Sequence, residues 1–239
     1  MSDPAGHDGR RASVAPEIFQ RHPDYRVNVV YADGLVNGPS GGHSLALLDA
    51  AELQARERFA GRAVGDLPHL AAWRAAYLSF GARPSRFPCS AEALLRRALG
   101  GGLPRVSQLV DLYNAISLTH LLPVGGEDRD LLVGDVVLRF ADGGETFDTR
   151  EHGELVTVAV EAGEVIWCDA AGVTCRRWNW RQCARTALTG RVTSAYFVLD
   201  ALGPGTEGEL SAATEALVEG LRLVSPGCES EVVPLRPAP

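Results

Sequence analysis

Helix-type and strand-type patterns are segregated along this chain, and that limits the folds open to it. In the first half, apolar residues recur at helical spacing apart from one alternating stretch, RVNVVYA at residues 26–32. The second half mostly alternates. Residues 134–141 (GDVVLRFA), 155–160, 164–169 and 194–199 (SAYFVL) each read as a strand, with a turn at Asp142, Gly143 and Gly144. Strands gathered apart from helices predict an α+β fold rather than an alternating α/β one. The early strand and the late strands are expected to share a sheet.

The helices have local signals. Residues 43–60 place Leu45, Leu48, Ala51, Ala55 and Phe59 on one face. A second helix is expected from Asp66 as N-cap, with Pro68 in its first turn, carrying Leu70, Trp73, Tyr77 and Phe80 as a core stripe. Ser90 is expected to cap a short helix that ends at the glycines of 100–102. Leu210, Ala213, Leu217 and Leu221 mark a final helix, followed by a short strand at 231–233 in a loose tail.

Between the two halves lies LPRVSQLVDLYNAISLTHLLPVGGEDRD, residues 103–130. Ser107 is a candidate N-cap, and Leu109, Leu112 and Ile116 form a burial face. Asp111, Asn114 and Ser117 step along another face. The helix must end before Pro123. A Gly125-Gly126 turn and an acidic loop with Glu127, Asp128 and Asp130 are expected next. This stretch reads either as a site wall or as an ordinary amphipathic helix with a solvated loop. The three acids are also the chain's one candidate magnesium cluster, although acids in a turn are usually just solvated and no metal is expected.

Composition excludes several function classes. The 23 basic residues are all arginine, so neither a lysine Schiff base nor a P-loop is available. The five cysteines form no C-x-x-C pair, which signals neither zinc site nor disulfide framework and points to a reduced cytoplasm. Net charge is −7, against a protein coated in basic surface for nucleic acid. No run has the length of a membrane helix. Residues 1–15 lack periodicity and an apolar segment, which predicts a disordered lead without a secretion signal. No serine-hydrolase, zinc-protease or dinucleotide motif occurs.

One segment departs from the acidic balance. Residues 173–182 end in CRRWNWRQ, and with Arg185 and Arg191 they supply five arginines in sixteen residues. Read as one extended strand, Arg177, Asn179 and Arg181 share one face, and Arg176, Trp178, Trp180 and Gln182 the other. Three readings stay open. The segment is an RNA-contacting surface, with arginine forks for phosphates and indoles for bases. It is core, with the arginines paired to carboxylates. Or it walls a small-molecule pocket.

The order PSRFPCSAEALLRR, LPRVSQLVDLYNAISL, LPVGGEDRD, GDVVLRFADGGETF resembles the B3/B4 tRNA-binding and editing domain of the phenylalanyl-tRNA synthetase beta subunit, in its free-standing form. The most specific part is VDLYN followed by L-P-V and an Asp. The resemblance covers roughly residues 81–202. It implies a β-rich core at 82–202, with a lead at 1–15, a helical elaboration at 16–81 and a helix and tail at 203–239. It also implies hydrolysis of an amino acid wrongly esterified to tRNA, with no cofactor and no charging activity. The partner would be the aminoacylated acceptor end of tRNA, not DNA or membrane. By position, Asn114 matches an asparagine of the family's pocket helix. Tyr113 stands where a small hydroxyl residue is common. Gly125 replaces a histidine that lines the pocket in bacterial synthetases. Asp200 stands for a glutamate that reads the wrong amino acid. The expected reacting set is Asn114, Gly125, Gly126, Glu127, Asp128 and Asp200, with diglycine amides as oxyanion donors and a carboxylate orienting water. Arg83, Arg86, Tyr113, Arg177, Trp178, Asn179, Trp180 and Arg181 are the expected substrate-binding set. Two rivals remain: an RNA-binding module without catalysis, and a pocket for a free amino acid or related small molecule.

Overall fold

Residues 10–237 are described by a computed structural model of the chain. The fold is α+β, with two sheets and the helices packed against them. In chain order the elements are β1 (Ala12–Val14), α1 (Pro16–Arg21), β2 (Arg26–Asp33), α2 (Gly42–Phe59), α3 (Pro68–Ser79), α4 (Ser90–Gly100) and α5 (Gln108–His120). There follow β3 (Val124–Asp128), β4 (Val136–Phe140), β5 (Thr146–Glu151), β6 (Glu154–Ala159), β7 (Val165–Asp169) and β8 (Gly172–Arg176). The chain ends with β9 (Arg181–Gln182), β10 (Ser194–Ala201), α6 (Glu207–Val224) and β11 (Glu229–Leu235).

The larger sheet has the order β1-β4-β7-β8-β5-β6, with β9 paired to β8. The smaller sheet is β11-β2-β10-β3, antiparallel throughout. The early strand β2 does join a late strand, β10, residue for residue from Arg26 opposite Ala201 to Asp33 opposite Ser194. Buried on both faces, β2 and β10 read as near-continuous apolar runs. One core gathers α2, α3, α4 and the inner face of the larger sheet around Trp73, Tyr77 and Trp178. A second lies between the smaller sheet, α5 and α6.

Local chemistry explains the ends of α5. The Ser107 hydroxyl accepts from Val110 N, as an N-cap does. Asp111 is wholly buried and accepts from Val106 N at 3.0 Å, which satisfies a second amide ahead of the helix. Leu121 then turns left-handed, φ 54°, and the Ser117 hydroxyl donates to Leu122 O at 2.6 Å before Pro123. Asp111 and Ser117 therefore hold the helix in place, and Asn114 alone of the polar stripe is left for a site.

Several expectations fail for physical reasons. Gly125 and Gly126 form no turn, and the acids form no loop. Gly125, Gly126, Glu127 and Asp128 lie in β3, because pairing with β10 outweighs the weak strand preference of V-G-G-E-D, and Asp130 falls in the short helical turn at Arg129–Leu131. Residues 173–182 are not one strand. They form the β8–β9 hairpin, whose four-residue connection carries Arg177 and Trp178 at φ 47° and 67°. That turn contains no glycine or proline to announce it. The expected disordered lead also shrinks, since Ala12–Val14 pairs in parallel with β4 and the Ala12 amide donates to Tyr31 Oη at 2.7 Å. Residues 1–9 of that lead fall outside the described residues. Leu67, not Asp66, occupies the N-cap of α3, and Cys89, not Ser90, that of α4. Strand β5 was not expected, because only Phe147 in Thr146–Glu151 is apolar and tertiary pairing makes it a strand.

Gly126 tests the β3 assignment. A Cβ there would sit 2.5 Å from the Phe197 ring, inside the second core. Gly126→Ala is expected to destabilise by about 1–3 kcal/mol, the range for overpacking, read from a urea midpoint at constant m-value. At Gly125 the added Cβ meets only the Gln182 amide, the far end of a flexible side chain. Gly125→Ala is expected to cost distinctly less.

Candidate functional site

A cavity of about 310 Å³ opens between α4 and α5 on one side and the β8–β9 hairpin on the other, with β10 as its floor. It holds the asparagine of α5 and the tryptophan–arginine hairpin in one space. Tyr113, Asn114, Gly125, Glu127, Trp178, Asn179, Trp180, Arg181 and Asp200 all line it. Four aromatic side chains, Tyr113, Trp167, Trp178 and Trp180, give it flat apolar walls, and two carboxyls, three amides and two guanidiniums break them. Such a mixture of apolar wall and a few placed polar groups is the usual make-up of a small-molecule site.

The hairpin is pinned at each residue of its connection. Trp178 N donates to Val165 O at 2.7 Å, and Trp180 N to Arg176 O at 3.1 Å. Ser90 N, at the start of α4, donates to Asn179 O at 3.2 Å, so the hairpin and the helix opposite are coupled through backbone. The Trp178 side chain is fully buried, edge-on to Tyr25 and Trp73 with centroids 4.9 and 5.2 Å away. Left-handed backbone at a bulky residue is strained; here it drives the indole into the core and turns Asn179 to face β10.

Asn179 and Asp200 form the floor network. Asn179 Nδ2 donates to Asp200 Oδ2 at 3.0 Å, Tyr25 Oη donates to Asp200 Oδ1 at 2.6 Å, and Tyr77 Oη donates to Asn179 Oδ1 at 2.8 Å. Asp200 is buried, and loss of water pushes its carboxyl up to about 6 even though Tyr25 and Asn179 pull the other way. Glu127 enters from β3. Burial pushes it up to about 7, against a hydrogen bond from the Thr186 hydroxyl. Burial likewise raises Tyr113, whose ring packs on Phe197 at 6.4 Å. Asn114 has no side-chain hydrogen bond to a described residue and is free to meet a ligand.

The rest of the expected set is placed elsewhere. Gly126 and Asp128 do not line the cavity. Alternation along β3 turns the Gly125 backbone into the ladder with β10 and the Gly126 backbone outward, where its carbonyl accepts from Gln182 Nε2 at 3.1 Å. The diglycine is therefore no open bank of free amides. Asp128 accepts from Asp130 N at 3.1 Å and caps the short helical turn at Arg129–Leu131. Since Asp130 is exposed, the three acids point to three environments, and no metal-holding group of His, Cys, Asp or Glu exists among the described residues. Arg83, Arg86 and Arg177 belong to a neighbouring cavity, which also shares Trp180 and Arg181.

Sequence reading missed the α4 wall. Ser90, Ala93, Leu94 and Arg97 line the cavity at spacings of three, four and seven, a helical stripe that was visible in SAEALLRR. It also missed Gln182, Tyr25 and Tyr77. Tyr77 lies in a stripe read as core and Tyr25 just ahead of the strand read at 26–32; both are core, yet their hydroxyls orient the floor network.

No curated protein matches this chain. A solved structure that does match is an N-terminal fragment of the phenylalanyl-tRNA synthetase beta-subunit from Pyrococcus horikoshii. The match covers 99% of this chain and 57% of that one, with TM-score 0.50 and 10% identity, and at that identity the likeness is one of fold. The B3/4 domain model matches residues 72–228, a wider span than 82–202. That span includes every element lining the cavity, from α4 through β10, and with it the chain belongs to the B3/4 domain family.

Proposed function

We propose that this protein hydrolyses the ester of misacylated aminoacyl-tRNA in trans, with the aminoacyl group housed in the 310 Å³ cavity. The observation that carries the reading is the cavity itself, an aromatic-walled space with two buried carboxyls at different positions on its wall. Its volume lies at the low end for ligand sites, which suits an aminoacyl group better than a whole nucleotide. The fold shared with a synthetase beta-subunit fragment supports tRNA as the bearer of that group.

The carboxyls differ in their freedom. Both oxygens of Asp200 are held by Tyr25 and Asn179, so it acts as a fixed wall that reads the bound side chain. Glu127 has one oxygen on the Thr186 hydroxyl and titrates at about 7, which fits it to accept a proton from an attacking water. Asn114 and the Arg97 guanidinium, neither with a side-chain hydrogen bond or ion pair to a described residue, are the donors left for the developing oxyanion and the ester. The Gln182 amide occupies the space beside Gly125 where the resemblance places a histidine, and so supplies that wall with a polar group.

The experiment is deacylation of a panel of mischarged tRNAs. Hydrolysis of at least one is expected, and Glu127→Gln is expected to lower its kcat about 10²-fold or more, the range for losing a general base, with tRNA binding kept. No hydrolysis above buffer on any member would remove the reaction.

A further inference from the structure

Beside the aminoacyl cavity lies a larger one of about 500 Å³ that shares the Trp180–Arg181 wall with it. Five arginines line it in a chain of net charge −7. Two of these are committed to the fold. Arg176 grips buried Glu164 through two bonds of 2.7 Å, and Arg177 reaches the same carboxylate at 3.1 Å while stacked 3.8 Å from the Phe87 ring centroid. Glu164 is thereby neutralised internally. The other three, Arg83, Arg86 and Arg181, are exposed and form no ion pair with any described residue. Arg83 and Arg86 stand on one turn, closed by Arg86 N on Arg83 O. Arg181 sits over Trp180 with its Cζ 4.5 Å from the ring centroid, and Arg177 over the same ring at 4.9 Å. Glu151 and Glu161 on the far wall oppose them, so the uncommitted charge inside the cavity is three cations against two carboxylates.

Exposed guanidinium forks beside an indole–guanidinium stack are the groups that hold a phosphodiester and its base. We infer that this second cavity is the subsite for the nucleotide preceding the ester-bearing terminus of a single-stranded RNA, with Arg83 and Arg86 on its phosphate and the Trp180–Arg181 pair under its base. The inference rests on the proposed reading of the first cavity, because the shared wall places adjacent units of one strand on its two sides.

The full chain is titrated with a labelled single-stranded RNA ending in CCA, and separately with AMP and inorganic phosphate as competitors. Binding at low salt is expected, weak competition by AMP, and none by phosphate. Arg83→Ala/Arg86→Ala is expected to weaken RNA binding about tenfold and to reduce the slope of log K against log salt by roughly 0.7, for the one phosphate the two arginines share on a single strand. Both side chains are exposed, so the variant is expected to melt with the parent. Unchanged affinity and slope in the double variant would overturn the subsite, as would absence of RNA binding. Competition by AMP or phosphate at the RNA's own affinity would overturn it too, in favour of a free-phosphate pocket. A chain that binds RNA through these arginines but deacylates nothing loses the reaction and keeps the subsite. One that deacylates with an unchanged KM in the double variant keeps the reaction and loses the subsite.

Discussion

Trp178→Ala is expected to destabilise the protein by about 3–5 kcal/mol, the range for removing a large aromatic from a core, and to abolish ligand binding in the aminoacyl cavity. The indole is fully buried and meets Tyr25, Trp73 and the His22 ring edge-on, with centroids 4.9 to 5.2 Å away. Aromatic pairs of this kind add stability beyond the area they bury. The same residue holds its backbone at φ 67°, a conformation that a bulky side chain adopts only when packing enforces it. Without the indole, nothing in the core rewards the strained turn, and the next residue is Asn179, which the Asp200 network needs in place. Trp178→Phe keeps part of the packing and is expected to lose roughly half as much. A urea midpoint decides between outcomes: a loss under about 1 kcal/mol would mean that the cluster repacks and that the turn is held by its backbone bonds alone.

The hairpin also shows where sequence reading reached and where it stopped. CRRWNWRQ was legible as unusual chemistry, and three readings were left open for it. The core reading and the pocket reading each describe some of its residues. Trp178 is core, Arg176 and Arg177 pair with Glu164, and Asn179, Trp180 and Arg181 line a cavity. A single extended strand could not have divided them so. The division comes from two left-handed residues with no glycine among them, a choice made by tertiary packing. Gly125-Gly126 failed in the opposite direction. A diglycine is a local turn signal, and here close approach of the Phe197 ring, not a turn, calls for the second glycine. Elements with strong periodicity or a capping side chain, such as α5 behind Ser107, were readable at once. The α4 wall had the right spacing, but spacing does not say which side of a helix meets a site. Tyr77 carried no signal, since an aromatic in a core stripe looks the same whether or not its hydroxyl has a task, and Tyr25 stands outside any periodic pattern, just ahead of β2.

The second large effect is on pH. Glu127 and Asp200 have ordinary values of 4.5 and 3.8 and are raised by burial to about 7 and about 6. Between roughly pH 4 and 7 the folded protein therefore holds protons that the unfolded chain has released. Stability must then fall as pH rises through that window, since it increases with pH only where the unfolded state binds more protons. The contribution is fully present below the unfolded values and is lost once pH passes the folded ones. At 1.36 kcal/mol per pKa unit each carboxyl accounts for roughly 3 kcal/mol. Glu145 acts in the opposite sense. Bonds from the Asp142 and Gly143 amides and from Arg139 outweigh its burial and hold it at about 2, so its share is lost only on acidification below 4.5. Urea midpoints are expected to drop from pH 5 to pH 8 in the parent, and Glu127→Gln is expected to remove about two-thirds of that drop, because from pH 5 upward Glu127 has further to titrate than Asp200. Asp200→Asn is the less clean variant, because one of its amide hydrogens would face the Asn179 amide that now donates to Oδ2. A flat profile in the parent, or an undiminished slope in Glu127→Gln, would mean that water reaches these carboxyls and that the cavity wall is not dry. The reaction should follow the opposite trend. A base that is protonated below about 7 can take a proton from water only above it, so deacylation is expected to rise across the interval in which the fold loses stability. A cavity that buries two carboxyls trades stability for a proton acceptor at working pH, and measuring both profiles on one preparation tests that trade directly.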